Sequence, residues 1–410
     1  MMLGVNGVTG LEYNENEFAQ KWPEIFEAFS LMEKAYMKRR PEVWVVAFSG
    51  GKDSTLLLDL TLRVVVKNIG KSTKPVHIVA NDTLVESPLV TKRLYQVLER
   101  VKDFVKQNDL PVKIQITKPR IEDSFWVSLI GKGYPPPSRN FRWCTDKLKI
   151  KPTSAYIKSL QKKLGEDEVV RILLGTRSAE SSTRAASLRR HNSLDHYTGQ
   201  SKDCPNCITF TPIRDLVDNQ VWEFLLKETP VWGGNNRDLI DLYVGALGSS
   251  ECSLVIEKSE LRGPSCGEKS PRFGCWVCTL VKDDKSLEGL VRFGHRELEP
   301  LVNFRRWLTL FAADIKNRMP INRKGFIRYK ENGEISPGPL TLEARKMIYE
   351  KVRDLERATK TRILTQEEIL LIQKHWEEDR RFYSFIGDDT INRLKDKMQN
   401  EQAYGTERGI

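Results

Sequence analysis

Residues 45–58, VVAFSGGKDSTLLL, interrupt an apolar run with two glycines, a lysine and small polar residues, and then turn apolar again. A strand that ends in Ser-Gly-Gly and enters a helix presents several backbone N–H groups at a helix N-terminus. There they and the helix dipole bind phosphate. Gly50 and Gly51 let the main chain approach an anion with no Cβ in the way. Lys52 adds a positive charge on a long arm, and Ser49, Ser54 and Thr55 add hydroxyls. Asp53 is the odd member, because a carboxylate beside phosphates is repelled unless a cation such as Mg²⁺ lies between them. The GxxxxGK(S/T) pattern is missing from the chain, so this is a phosphate loop of another kind.

Sulfur is the second chemistry. Six of the seven cysteines fall between Cys204 and Cys278, which in a reducing compartment points to metal binding or thiol chemistry rather than disulfides. Cys275 and Cys278 form a Cys-x-x-Cys that turns two thiolates toward one metal, with Cys266 a short way upstream. Either Cys144 or Cys252 can complete a set of four, and four cysteines suit zinc and an iron–sulfur cluster alike. Cys204 and Cys207 form a second Cys-x-x-Cys, read foremost as a turn. His77 falls in an expected buried strand, and no Ser-His-Asp arrangement is supported by the spacing.

These residues need elements to hold them. Periodicity predicts a helix over 16–38, a strand over 43–48, a helix over 52–66, a strand over 75–80, a helix over 88–107 and a strand over 112–117. A helix at 152–163, a strand at 169–174 and a helix at 218–227 continue the alternation. Strands separated by helices of this length imply an α/β, doubly wound, mostly parallel sheet covered on both faces. From 231 to 285 the rhythm gives way to Gly, Pro, Ser and Cys, as a loop-rich, metal-held insert would read. Beyond 286 the pattern is helical, including 341–359 and 365–382. The expected organisation is an N-terminal helical segment (1–40), a nucleotide-binding domain (41–230), a Cys-rich segment (231–285) and a helical C-terminal region (286–410).

At 410 residues and 40% hydrophobic content the chain can bury a large core. With neither a long apolar run nor a leader-like N-terminus, a cytoplasmic protein with no membrane partner is expected. Between 131 and 200 there are 14 Lys and Arg against 6 Asp and Glu, whereas 286–410 is nearly balanced at 24 against 20. Positive charge is thus concentrated mid-chain, as a phosphate-rich partner would require.

SGGKDS after a strand resembles the pyrophosphate loop (PP-loop) of the ATP pyrophosphatases, an adenine nucleotide α-hydrolase-like class that includes phosphoadenylyl-sulfate reductases and tRNA-thiolating enzymes. Three further stretches carry the resemblance. They are NDTLVES with Asp82, Thr83 and Glu86; RWCTDKLKIKP with Arg142, Cys144, Lys147 and Lys149; and GTRSAESSTRAA with Gly175, Arg177, Glu180, Ser181 and Arg184. FTPIRDLVDNQVWEFL is similar to a later segment of the class, with Leu216 in place of a Trp. The resemblance implies ATP at Ser49, Gly50, Gly51, Lys52, Asp53, Ser54, Asp82 and Gly175. It implies catalytic roles for Lys52, Asp53, Arg177 and Arg184, and substrate phosphate at Arg142, Lys147 and Lys149.

PSCGEKSPRFGCWVCT resembles the DndC family, the ATP-pyrophosphatase subunits of bacterial DNA phosphorothioation systems, and the chain ends without the cysteine-bearing tail of the reductases. That resemblance implies a [4Fe–4S] cluster at Cys144, Cys266, Cys275 and Cys278, with Cys252 in reserve and zinc as the alternative occupant. The expected activity is splitting of ATP to AMP and pyrophosphate to activate a DNA backbone phosphate for sulfur incorporation. Expected partners are DNA, a cysteine desulfurase and other phosphorothioation subunits. The competing expectations are a reductase-like or tRNA-thiolating enzyme, and a non-catalytic, nucleotide-sensing DNA-binding subunit.

Overall fold

A computed structural model describes residues 14–72, 74–138, 141–165, 168–201, 206–247, 273–281 and 283–407. The chain divides into two compact units, each built from separated segments. The first takes the residues up to Asp82, Ser87–Thr117 and Pro152–Phe273; the second takes Thr83–Glu86, Lys118–Lys151 and the chain from Gly274 onward.

The first unit holds a six-stranded sheet. Its strands are β1 (Glu42–Phe48), β2 (Val76–Asn81), β3 (Val112–Thr117), β4 (Val169–Leu173), β5 (Thr198–Gln200) and β6 (Cys207–Phe210), in the order β3-β2-β1-β4-β6-β5. Every pairing is parallel except β5 with β6. Helices α1 (Glu15–Lys21), α2 (Pro23–Tyr36), α3 (Lys52–Lys67), α4 (Pro88–Gln107), α5 (Lys151–Leu164), α6 (Ser182–His191), α7 (Asp218–Lys227) and α8 (Arg237–Leu247) connect or precede the strands.

Strand residues alternate between the two faces, so β1 serves both. Trp44 and Val46 are buried with α2, α3, α7 and α8, and Phe48 is buried with α4. Val43 and Val45 are buried with Ile157 and Leu160 of α5 on the other face. At about 1.5–3 kcal/mol for each large apolar side chain removed from water, this two-sided burial is what holds β1 at the centre.

The mostly parallel, doubly wound architecture is as the alternation requires. Some elements depart from expectation. The helix over 16–38 is two helices, because Pro23 cannot donate the N–H that would continue α1 and instead opens α2 at its first position. The stretch from 231 to 285 is not loop alone. Helix α8 lies within it, with Leu239, Leu242, Tyr243 and Ala246 buried at helical spacing. Helix α6, STRAASLRRH, has Leu188 as its one large buried hydrophobic residue, so it lacks a readable apolar stripe. Strands β5 and β6 are too short for alternation to show.

The second unit is helical. It contains α9 (Lys285–Phe293), α10 (Glu299–Ala313), α11 (Leu342–Thr359), α12 (Gln366–Ile386) and α13 (Asp388–Glu407). Thr341 caps α11 and Thr365 caps α12, the latter in a capping box with Glu368. Buried Arg345 ties α11 to Asp379 of α12 at 2.7 Å and to the carbonyl of Gly131 at 2.6 Å. Trp376 donates to the carbonyl of Ile130 at 2.8 Å, which anchors the π-helical turn Val127–Gly131. Among the described residues no helix is long and apolar enough to cross a membrane.

Candidate functional site

The chain winds from β1 outward to β3, then returns to place β4 on the other side of β1. The crevice at the carboxyl ends of β1 and β4 is therefore a topological switch point, where open α/β sheets bind ligands. Ser49–Lys52 follow β1 there, and Gly175–Arg177 follow β4.

Gly50 has φ +77°, a conformation that disfavours any side chain, and Gly51 is the N-cap of α3. Gly51 has no side chain with which to cap α3, whereas Ser181 caps α6. The first-turn N–H groups of α3 have no intrahelical acceptor. Ser49 and Ser54 join hydroxyls at 3.1 Å, and the hydroxyls of Ser54 and Thr55 donate to the Gly51 carbonyl at 3.0 and 2.9 Å. Gly175 is required by proximity, since a Cβ on it would lie 3.0 Å from the Asp53 carbonyl oxygen and 3.1 Å from the Ser54 nitrogen. Loop and β4 turn are thus packed backbone to backbone.

Four charges converge on this contact. Lys52 Nζ lies 3.0 Å from Asp53 Oδ2 and 3.7 Å from Asp218 Oδ1. Arg177 Nε donates to Asp53 Oδ1 at 2.6 Å, Nη1 to the Leu216 carbonyl at 3.0 Å, and Nη2 to Asp218. Burial works against the Arg177 charge, but Asp53 and Asp218 outweigh it and raise its pKa above the ordinary value. Lys52 and Arg177 are buried and Asp53 nearly so, while Asp218 is more open. The set is formally neutral. Phosphate arriving beside two carboxylates would therefore need them screened, and two carboxylates plus phosphate oxygens form the kind of oxygen shell that suits Mg²⁺.

The structure brings Lys52, Asp53, Gly175 and Arg177 together, and adds residues that sequence reading missed. Asp218 lies in the PIRDLVD stretch already singled out, where its charge was the overlooked signal. Arg93 of α4 is buried and donates from Nη1 to the Gly50 carbonyl. Tyr243 of α8 accepts the Lys52 N–H at 3.4 Å. Asp82, at the end of β2, is buried and accepts from the Tyr95 hydroxyl at 2.7 Å. Arg184 lies on the exposed side of α6 and pairs at 2.8 Å with Glu180, which precedes the helix and its Ser181 cap.

Cys144, Cys275, Cys278 and the cations Arg142, Lys147 and Lys149 belong to the second unit. Cys275 and Cys278 form a turn, with the Cys278 N–H donating to the Cys275 carbonyl at 3.0 Å. The turn is bridged to Thr83–Glu86: the Trp276 N–H donates to the Val85 carbonyl at 3.0 Å, and the Thr83 hydroxyl lies 3.7 Å from Cys275 Sγ. Trp276 is buried against Trp126 and Phe304, and Arg305 donates to the Cys278 carbonyl at 2.7 Å. Burial pushes the Cys275 thiol up to about 12, and Cys144, close enough to interact with it, contributes to that rise. Burial, together with Cys278, raises Cys144 as well.

Lys149 pairs with Glu86 at 2.9 Å; burial opposes its charge, but Glu86 and the thiols of Cys275 and Cys144 raise its pKa. Lys147 is engaged by Asp123 at 2.7 Å, and Arg142 is exposed. Among the described residues no three His, Cys, Asp or Glu side chains could hold one metal ion. Cys204, Cys252 and Cys266 lie outside the described residues. Cys144 interacts with both Cys275 and Cys278, and all three are at least partly buried, but the three thiols are not gathered as the ligands of one ion.

A family model described as the phosphoadenosine phosphosulfate reductase domain matches residues 43–280, more than half of the chain. The chain belongs to that family. The phosphoadenosine phosphosulfate reductase domain carries the switch-point loop and extends through Cys278. Two relatives are uncharacterized proteins of Methanocaldococcus jannaschii. One is 25% identical over 287 residues, covering 69% of this chain and 57% of the relative; the other is 31% identical over 201 residues, covering 49% and 35%. The chain thus spans about half or less of the length of the curated relatives it matches.

Among solved structures, Candida glabrata FMN adenylyltransferase in complex with FAD and inorganic pyrophosphate is similar at 13% identity and TM-score 0.35, over 59% of this chain and 67% of that one. The U34-tRNA thiolase NcsA from Methanococcus maripaludis with its [4Fe–4S] cluster is similar at 14% identity and TM-score 0.28, over 68% and 92%.

Proposed function

We propose that this phosphoadenosine phosphosulfate reductase-type domain splits ATP between its α and β phosphates, and that the AMP acceptor is a phosphate of the DNA backbone about to receive sulfur. The observation that carries the ATP half is the partly buried Lys52–Asp53–Arg177–Asp218 set at the open N-terminus of α3. The DNA half is supported by the resemblance of residues 264–279 to the DndC signature and by the concentration of positive charge between 131 and 200.

The first-turn N–H groups of α3 and the hydroxyls of Ser49 and Ser54 would hold the departing pyrophosphate. Asp53 and Asp218 would hold Mg²⁺, which when bound offsets phosphate charge. Lys52 and Arg177, relieved of part of their pairing with those carboxylates, would neutralise the charge that builds on the leaving group. A DNA phosphodiester oxygen attacks the α-phosphorus, pyrophosphate leaves, and the adenylated oxygen becomes a leaving group. A persulfide formed with a cysteine desulfurase would then attack the DNA phosphorus and displace AMP, and a second thiol would attack the persulfide's inner sulfur, leaving a disulfide and the phosphorothioate.

Cys144, Cys275 and Cys278, with Cys266, are the residues proposed to hold a [4Fe–4S] cluster, which would supply sulfur handling or a redox centre. Iron and acid-labile sulfide in protein purified without oxygen test that assignment, and stoichiometric zinc without iron would overturn it. For the ATP half, pyrophosphate release is measured with and without duplex DNA, beside Lys52→Ala. Release that depends on Lys52 and yields adenylated DNA supports the reading. Release that is unchanged in Lys52→Ala would falsify the site.

A further inference from the structure

Helix α8 lies outside every stretch that marks the phosphate loop, yet it reaches the loop twice, once through Arg93 of α4 and once directly. Asp238 Oδ2 lies 3.4 Å from Nε of Arg93, whose Nη1 donates to the Gly50 carbonyl. Tyr243, farther along α8, places its hydroxyl where the Lys52 N–H donates to it at 3.4 Å. The same oxygen would stand 3.5 Å from a Cβ built on Gly51, and Ser49 Oγ would stand 3.7 Å from it. The space left by the missing side chain of Gly51 is thus bordered by two hydroxyls at the N-terminus of a helix.

The Tyr243 ring is fixed. It packs edge-on against Trp222 at 4.8 Å and Phe273 at 5.0 Å, and Lys52 Nζ lies 5.9 Å from its centroid. Its oxygen accepts from Lys52, but its own proton has no acceptor among the described residues. A buried hydroxyl with an unused proton costs free energy unless something accepts it. Burial also pushes this phenol up to about 12, so it keeps its proton and remains a donor at neutral pH.

We propose that Tyr243 is a pyrophosphate-binding residue: its hydroxyl donates to a phosphate oxygen lodged over Gly51, extending the backbone cradle of α3 with a neutral donor from a helix outside the loop. This rests on reading the loop as a pyrophosphate site. Arg93 and Asp238 are positioning residues that hold Gly50 and α8 in register, so the hydroxyl is already aimed when the anion arrives.

Binding of inorganic pyrophosphate with Mg²⁺, followed by calorimetry on the full chain, tests the proposal without requiring turnover. Tyr243→Phe keeps the ring and removes the hydroxyl, which is both the donor to the anion and the acceptor of the Lys52 N–H. A hydrogen bond to a charged group is strong enough that its loss should weaken pyrophosphate binding about tenfold or more, measured at a temperature where both proteins are folded. Lys52→Ala is the control on the loop itself. If Lys52→Ala abolishes binding while Tyr243→Phe binds like the parent, the loop reading stands and the role of Tyr243 is overturned. If the parent binds no pyrophosphate, both fall. Should Tyr243→Phe not fold, the parent still decides the question. Donation to an added anion produces a tyrosine ultraviolet difference spectrum, and no such signal under saturating pyrophosphate overturns the proposal.

Discussion

Arg177 and Asp53, 124 residues apart in the chain, meet at 2.6 Å between the ends of two adjacent parallel strands. The guanidinium is fully buried and also grips Asp218 and the Leu216 carbonyl, so it joins the phosphate loop, the β4 turn and the entry to α7. Removing one member of a buried, hydrogen-bonded charge set strands the others. Arg177→Ala is therefore expected to cost about 3–5 kcal/mol in urea unfolding. Arg184→Ala, which loses an exposed pair with Glu180, is expected to cost less than about 1 kcal/mol. Equal losses for the two arginines would contradict the geometry.

Gly175→Ala should act through backbone crowding. The new Cβ would press on the Asp53 carbonyl and the Ser54 nitrogen at 3.0 and 3.1 Å, and neither is the end of a flexible side chain. A stability loss of about 1–3 kcal/mol is expected, together with weaker nucleotide binding, because the displaced atoms belong to the loop. Gly274→Ala, with open space around it, is the comparison and should be close to neutral. Both are read by thermal unfolding and ATP titration.

Asp123 gives the second unit a defined acid response. Burial opposes ionisation of its carboxyl, but hydrogen bonds from Lys147 and Arg120 prevail and lower its pKa to about 2. A carboxylate whose folded pKa is depressed contributes stability that is present above its unfolded pKa and is lost as pH falls through the folded one. Its contribution, of order 2 kcal/mol, should therefore be present above about pH 4 and disappear toward pH 2. The stability difference between the parent and Asp123→Asn, followed by chemical unfolding across that window, should shrink as pH falls. A difference that stays level would show that the ion pair does not form.

Cys275 should be the slow thiol. With its pKa pushed up to about 12 by burial, its thiolate is scarce at neutral pH. Only the thiolate reacts with iodoacetamide, so metal-free protein should label Cys275 at least a hundredfold more slowly than a free cysteine, by an order-of-magnitude estimate. Peptide mass spectrometry over a time course measures this, and labelling at the free-thiol rate would refute the burial. Raising the pH should speed the reaction, since the thiolate population grows with it.

Much of the first unit was legible from order alone. β1, α3, β2, α4 and β3 follow from alternating apolar runs, because burial on both faces of a parallel sheet leaves a pattern within a few residues of each element. Helix α8 was hidden differently. Its own apolar spacing is regular, but the surrounding Gly, Ser and Cys made the whole stretch read as loop. Helix α6 had little to read, with a single large buried hydrophobic side chain.

The phosphate loop was legible for a local reason: Ser-Gly-Gly-Lys-Asp-Ser specifies its own turn, its positive φ at Gly50 and the helix that follows, all within a few residues. By itself the sequence determined that loop, the family it belongs to, and the paired thiols of Cys275 and Cys278. Only the tertiary structure decided which distant residues complete the loop. Asp218, Arg93 and Tyr243 reach it from three separate helices, and no spacing along the chain encodes that meeting. The reason is that a switch point is made by strand order: β4 lies beside β1 because the sheet is wound twice, and the neighbours of Lys52 are set by how the helices pack over that sheet.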